Sequence, residues 1–133
     1  MYTFKKEERL CNKRLLEDLF RSGSSFLCYP FRVSWLQVSV SQPYAVQVVF
    51  AVAKKRYRRA VDRNLIKRRT REAYRLHKQA LLYDALKMQD KQIILSINYI
   101  GKEINDFAFM DKKMVKLLTQ LCEQTHASHI KTV

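Results

Sequence analysis

Hydrophobic positions recur along this chain with two periods, and the changes of period mark its elements. Leu15, Leu16, Leu19 and Phe20 fall at helical spacing behind Asn12, a good N-cap residue, and Gly23 supplies a stop. The spacing predicts a first helix over residues 12–22. From Phe26 the pattern becomes alternation: Phe31, Val33 and Trp35 point one way and Arg32, Ser34 and Leu36 the other, with Pro30 limiting what precedes them. This is a strand exposed on one face. After a turn at Ser41-Gln42-Pro43, residues 44–53 are almost continuously apolar and rich in Val, Phe and Tyr, which suits a central strand buried on both faces. Together these segments suggest a hairpin or meander.

Residues 60–82 return to the 3.6 period, with Val61, Leu65, Ala73, Leu76 and Ala80 within about 120° of one another on a helical wheel. Residues 92–98 read as a short buried strand. Asn105 or Asp106 can then cap a last helix carrying Phe107, Met110, Met114, Leu117, Leu118 and Leu121. One domain over residues 1–123 is expected, followed by a frayed tail over 124–133, with no internal repeat or linker.

Composition narrows the function. With 47% hydrophobic and 11% aromatic residues in 133, the chain can bury a core, which excludes a wholly disordered basic arm. Two glycines, Gly23 and Gly101, cannot build a Gly-rich phosphate cradle or a dinucleotide fingerprint. No apolar run reaches the roughly 20 residues of a membrane span, and no apolar stretch follows Lys5-Lys6 as in a secretory signal, so a cytoplasmic protein is expected. Cys11, Cys28 and Cys122 show no CxxC pairing and read as reduced, buried filler.

Charge changes the picture most. Residues 54–78 hold twelve basic residues against Asp62 and Glu72, a net +10 of the chain's +14. On the wheel Arg63, Lys67, Arg71 and Lys78 form a row flanked by Asn64, Arg68 and Arg75, with Tyr74 in their midst. Cations at i, i+4 repel by a few tenths of a kcal/mol, about 0.2–0.5 per pair, so a polyanion should compensate them. Arg outnumbers Lys, which favours bidentate phosphate contacts. Arg69 falls on the apolar side, where snorkelling or a pair with Glu72 is expected rather than a contact with the polyanion.

Candidate catalytic groups are sparse. The neighbours Glu7-Glu8 and Glu17-Asp18 diverge by about 100° on a helix and read as surface charge. His126 and His129 have no partner at ligand spacing and sit in the expected tail, and His77 has no nucleophile at hand. Neither a catalytic residue nor a metal ligand is assigned. Phe20, Trp35 and Tyr74 could stack on bases, although Trp35 shares the strand face of Phe31 and Val33 and reads as core.

The run Arg63-Asn64-Leu65-Ile66-Lys67-Arg68, on a basic helix after a strand, resembles the signature of the bacterial ribonuclease P protein component. Lys5-Lys6-Glu7-Glu8-Arg9-Leu10, and a short helix closing on Phe20-Arg21-Ser22-Gly23, resemble that family's opening. The resemblance covers residues 4–121. It implies an α/β fold, a two-layer α+β sandwich ordered helix, three strands, basic helix, strand, helix, with a left-handed βαβ crossover. It implies binding of the catalytic RNA of ribonuclease P through the basic helix. It further implies that the 5′ leader of precursor tRNA lies in a cleft between that helix and the sheet, with hydrolysis left to the RNA and its Mg²⁺. The protein alone is expected to bind no cofactor, and neither a membrane nor a protein partner is expected.

Carried onto this chain, Arg63, Asn64, Lys67, Arg68 and Arg71 face RNA, joined by Arg75 and by Lys54, Lys55 and Arg59 on the approach to the helix. Leu16 and Phe20 border the leader cleft, and Arg32 and Ser34 are further candidates for it. A ribosomal or other structural RNA-binding protein is the rival reading. For a major-groove DNA reader this chain lacks the preceding helix and tight turn, and for a free-standing nuclease it lacks a carboxylate or histidine cluster.

Overall fold

Asn12 caps the first helix, α1 (Lys13–Ser22), its Oδ1 accepting from the amides of Arg14 and Leu15 at 3.0 and 3.2 Å. The computed structural model describes residues 4–38 and 45–131, without the side chains of Glu7 and 127–131. The turn read at Ser41-Gln42-Pro43, the start of the following strand at Tyr44 and the side chain of His129 lie outside the described residues. Gly23 ends α1 in extended backbone, φ −73° and ψ 155°, rather than in the left-handed conformation of a glycine cap. Its role is close approach: a Cβ there would stand 2.4 Å from the Leu19 carbonyl oxygen and 2.9 Å from that of Trp35.

Four strands follow, β1 (Ser24–Cys28), β2 (Phe31–Val38), β3 (Val46–Val52) and β4 (Gln92–Tyr99), in the spatial order β1-β2-β4-β3. β1 and β2 form an antiparallel hairpin, β2 pairs antiparallel with β4, and β3 pairs parallel with β4. The expectation of a central β3 is therefore corrected. β4, with Ile93 to Ile97 all buried, takes the place between β2 and β3, and β3 lies at an edge of the sheet. Continuous apolar character marks two-sided burial, and β3 gets its second cover from elsewhere: the Leu10 amide donates to the Val48 carbonyl at 2.9 Å and Arg9 bridges Val48 in parallel. The N-terminal segment thus occupies part of an edge that would otherwise be free to pair.

The basic helix α2 (Ala60–Lys78) runs on through a π-helical turn (Gln79–Tyr83) into α3 (Asp84–Gln89), which the hydropathy pattern had not separated. The last helix, α4 (Phe107–Lys131), is capped by Asp106, whose Oδ1 accepts the Phe109 amide at 2.9 Å. Of its predicted stripe, Met110, Met114, Leu117, Leu118 and Leu121 are buried and Phe107 is half-buried against the core. Residues expected to fray from Gln124 are helical to Lys131. Gln124 accepts the Trp35 indole N–H at 3.0 Å, and Thr125 is buried with its carbonyl accepting from the Lys91 ammonium. Phe31, Val33, Trp35, Ile93, Leu95 and Ile97 meet α2 and α4 on one sheet face. On the other face α1 packs a smaller cluster of Leu10, Leu19 and Ile94, with Leu15, Leu16 and Leu36 against it.

The buried face of α2 is Ile66, Thr70, Ala73, Tyr74 and Lys78; of the expected stripe Ala73 is buried, Leu65 and Leu76 are half-buried, and Val61 and Ala80 are exposed. Each polar member has a partner that local periodicity cannot reveal. The Thr70 hydroxyl donates to the Ile66 carbonyl at 2.8 Å, and the Tyr74 and Tyr83 hydroxyls lie 3.4 Å apart. The Lys78 ammonium donates to Glu8, which also accepts from the Tyr83 hydroxyl at 2.5 Å. Glu8 is therefore no surface charge, and Lys78 does not belong to the exposed cationic row.

Glu8 and Lys78 are buried together, so removing one partner should strand a charge. Glu8→Ala is expected to cost about 3–5 kcal/mol in chemical denaturation, and Glu8→Ala with Lys78→Met distinctly less than Glu8→Ala alone. Burial alone would raise the Glu8 carboxyl, but the Lys5 amide, Lys78 and Tyr83 outweigh it and hold the group below its ordinary value. Its contribution is present above the ordinary carboxylate pKa and is lost as pH falls through the lowered folded value, so an acid titration of stability should be flatter in the double variant.

Candidate nucleic-acid interface

The approach to α2 is held by the cations themselves. The Arg63 guanidinium donates to the carbonyls of Tyr57 and Arg58, each at 2.8 Å, folding the loop after β3 back over the first turn of the helix. Tyr57 donates its hydroxyl to the Gly101 carbonyl at 2.7 Å, and Arg56 reaches the Ile100 carbonyl at 3.2 Å, which ties that loop to the end of β4. Lys54, Lys55 and Arg59 stand exposed along it. Arg63 thus positions the loop while carrying charge beside it.

Further along α2, Asn64 and Arg68 are exposed, and Lys67, Arg71 and Arg75 are half-buried. Arg75 donates its Nε–H to Glu72 at 2.8 Å. Glu72 is therefore not the partner of Arg69, which instead donates to the Asn105 carbonyl at 2.6 Å and fastens α2 to the start of α4. Tyr74 is fully buried, so it offers no ring to a base. Lys67, Arg68, Arg71 and Arg75 remain as a strip, and Phe4 and Arg9 of the N-terminal segment line the same recesses. Sequence reading missed these two residues because their placement depends on the buried Glu8.

The second surface lies on the sheet face that carries α1. Phe20, Arg32 and Ser34, three of the four predicted cleft residues, line one cleft of about 360 Å³ together with Leu19, Gly23, Ser25, Ala51, Ser96 and Asn98. Leu16, the fourth, packs on the Leu10–Leu19–Ile94 cluster and does not line it. This cleft is bordered by α1, whereas a separate recess lies between the basic helix and β3, lined by Lys67 and Arg71 and by Val48, Val49 and Phe50. Phe20 is 66% exposed, so its ring is available at the rim. The Asn98 Oδ1 is buried without a hydrogen-bond partner. Ser96 and Asn98 alternate with Leu95 and Ile97, a period-2 signal that could have found this cleft floor in the sequence.

Other candidates stay dispersed. His77 Nε2 lies 2.9 Å from Asp111 Oδ1, joining α2 to α4, and His126 is exposed. Cys28 is buried and Cys122 half-buried, and burial pushes both thiols up, but Cys11 is exposed, contrary to its reading as buried filler. Among the described residues no three of His, Cys, Asp and Glu are grouped to hold a metal ion, and no helix is long and apolar enough to cross a membrane.

Comparison with known proteins places the chain in a family. Residues 4–122 match the family model Ribonuclease P. A ribonuclease P protein component of Porphyromonas gingivalis is 38% identical over 128 residues, covering 95% of this chain and 91% of the relative. That of Chlorobium phaeobacteroides is 35% identical, covering 87% and 86%. Among solved structures, the RNase P protein of Staphylococcus aureus superposes with a TM-score of 0.66 at 22% identity, over 87% of this chain and 96% of that one. The Thermotoga maritima RNase P protein gives 0.66 at 24%, over 84% and 96%. The fold is the same mixed four-stranded sheet with helices, and a ribosomal or other structural RNA-binding role is not favoured. The shared fold and a match that spans nearly the whole chain agree: the chain belongs to the ribonuclease P protein component family, the tRNA-processing protein subunit of a ribonucleoprotein endoribonuclease that works with ribonuclease P RNA.

Proposed function

We propose that the two surfaces divide the RNA between them. The cationic strip of α2 and its loop, Lys54, Lys55, Arg59, Arg63, Asn64, Lys67, Arg68, Arg71 and Arg75, holds the folded ribonuclease P RNA, and the cleft beside α1 holds the single-stranded 5′ leader of precursor tRNA. The observation that carries this reading is the exposed Phe20 ring at the rim of a polar trough floored by Ser34, Ser96 and Asn98 and flanked by Arg32. An unpaired nucleotide needs a ring to lie against and polar groups for its edges and backbone, and a duplex would not fit between a helix and a sheet. Ala51 lines the cleft, and Lys54 and Lys55 follow at the end of the same strand, so the leader surface leads into the cationic one.

In this reading the protein positions RNA and the RNA cuts it. Glu8 is engaged with Lys78 and Glu72 with Arg75, and no protein residue is assigned to a metal; Mg²⁺ held by the RNA subunit would supply the Lewis acid and activated water of phosphodiester hydrolysis. The complex is expected in the cytoplasm and without a further protein partner.

Two outcomes test the division. With about five phosphate contacts along α2, the log-log slope of affinity for ribonuclease P RNA against salt should be about −3 to −5, and a slope near zero would remove α2 as the phosphate surface. Phe20→Ala should leave thermal unfolding within about 0.5 kcal/mol of the parent, as for an exposed side chain. It should also shrink the preference for precursor over mature tRNA in equilibrium binding. An unchanged preference in the folded variant would take Phe20 out of the leader cleft.

A further inference from the structure

Phe4 and Arg9 belong to neither surface as the family resemblance drew them, yet the fold sets them against the basic helix. Glu8 fixes the segment: its carboxylate is buried against Lys78 and Tyr83 and accepts the Lys5 amide at 2.8 Å, while Leu10 pairs with Val48. On either side of this anchor Phe4 and Arg9 meet, the guanidinium 5.8 Å from the ring centroid. Phe4 also lies 5.8 Å from the Phe50 ring and 6.0 Å, edge to face, from Tyr74, so its orientation is set from below.

Two adjoining recesses share these residues. One, of about 260 Å³, has Phe4, Phe50 and Val48 on its walls and Arg9, Lys67 and Arg71 among its cations. The other, of about 350 Å³, is bounded by Phe4 and Arg9 and by Arg68, Arg71 and Arg75 with Glu72. An apolar, aromatic hollow opening onto a row of guanidinium groups matches one kind of ligand: a planar uncharged ring carried on an anionic chain. A base-paired stretch of RNA offers its phosphates to such a surface but cannot insert a ring. An unstacked nucleotide can do both at once.

We propose that the Phe4–Arg9 recess receives one unstacked base of the ribonuclease P RNA, its face against Phe4 and Arg9, while the flanking phosphates lie on Lys67 and Arg71 and on Arg68. The inference rests on the reading of α2 as the surface for that RNA, and it adds a base contact to what would otherwise be a purely electrostatic grip. Base contacts of this kind carry no counterion release, whereas phosphate contacts do. The N-terminal segment then acts as half of a clamp, with α2 as the other half.

The experiment compares Phe4→Leu, Phe4→Tyr and Arg68→Ala for affinity to ribonuclease P RNA over a range of salt, with thermal unfolding as the control for folding. Phe4→Leu keeps apolar volume but loses the ring, and should bind about tenfold more weakly with an unchanged salt slope. Phe4→Tyr should restore binding to near the parent. Arg68→Ala should weaken binding and make the slope shallower by nearly one. A folded Phe4→Leu that binds as tightly as the parent, a Phe4→Tyr no better than Phe4→Leu, or a Phe4→Leu whose loss appears in the slope would each overturn the base contact. In those cases an Arg68→Ala that still lowers the slope leaves the phosphate surface of α2 standing. An Arg68→Ala with no effect on slope would instead count against that surface.

Discussion

Glu8 and Lys78 meet in the interior from positions seventy residues apart, and the placing of the N-terminal segment against α2 depends on that contact. Lys78 is the last residue of a helix that is cationic on most of its circumference, and it lies on the side turned toward the core. Without a carboxylate it would be a buried unpaired charge, costing several kcal/mol, about 3–5 by analogy with broken buried pairs. The pair removes that cost and has a spatial consequence. It draws residues 4–10 along the outer edge of β3, where Leu10 completes backbone pairing and Phe4 and Arg9 come to rest beside Lys67 and Arg71.

The remaining cations of α2 divide into two kinds by the same logic of partners. Arg63 and Arg69 spend their donors on backbone carbonyls of the preceding loop and of Asn105, and so set where the helix lies. Lys67, Arg68 and Arg71 line recesses open to solvent, with their mutual repulsion unrelieved within the helix except through Glu72. Such a surface is stabilised by an external polyanion, which ties assembly with RNA to the charge pattern. The sheet contributes the complementary surface, because β4 shows the core an unbroken row of Ile and Leu and shows α1 first Ile94 and then Ser96 and Asn98.

Elements governed by local periodicity were legible in the sequence. The Asn12 cap, the alternation of Phe31, Val33 and Trp35, and the Met110 to Leu121 stripe need only the chain's own spacing, and each appears as read. What escaped were features set by distant partners. The insertion of β4 between β2 and β3 leaves no mark on β3, whose apolar run is the same at a covered edge as at the centre. Thr70, Tyr74 and Lys78 look polar or amphipathic, so local periodicity favours a stripe through Val61 and Ala80, although hydrogen bonds to Ile66, Tyr83 and Glu8 let them into the core. Phe20, Arg32 and Ser34, expected to share a cleft, do line one, whereas Leu16 packs on the Leu10–Leu19–Ile94 cluster, because helical spacing alone leaves open which of two adjacent faces of α1 turns outward.

We propose that this chain enables an RNA to cut precursor tRNA and does not cut it alone. The most direct measurement is 5′ cleavage of precursor tRNA by ribonuclease P RNA at low Mg²⁺, with and without the protein. The account predicts little cleavage by RNA alone, restoration when the protein is added, and none by protein without RNA. A protein that binds the RNA yet leaves cleavage at the RNA-alone level, or that cleaves precursor tRNA unaided, would contradict it.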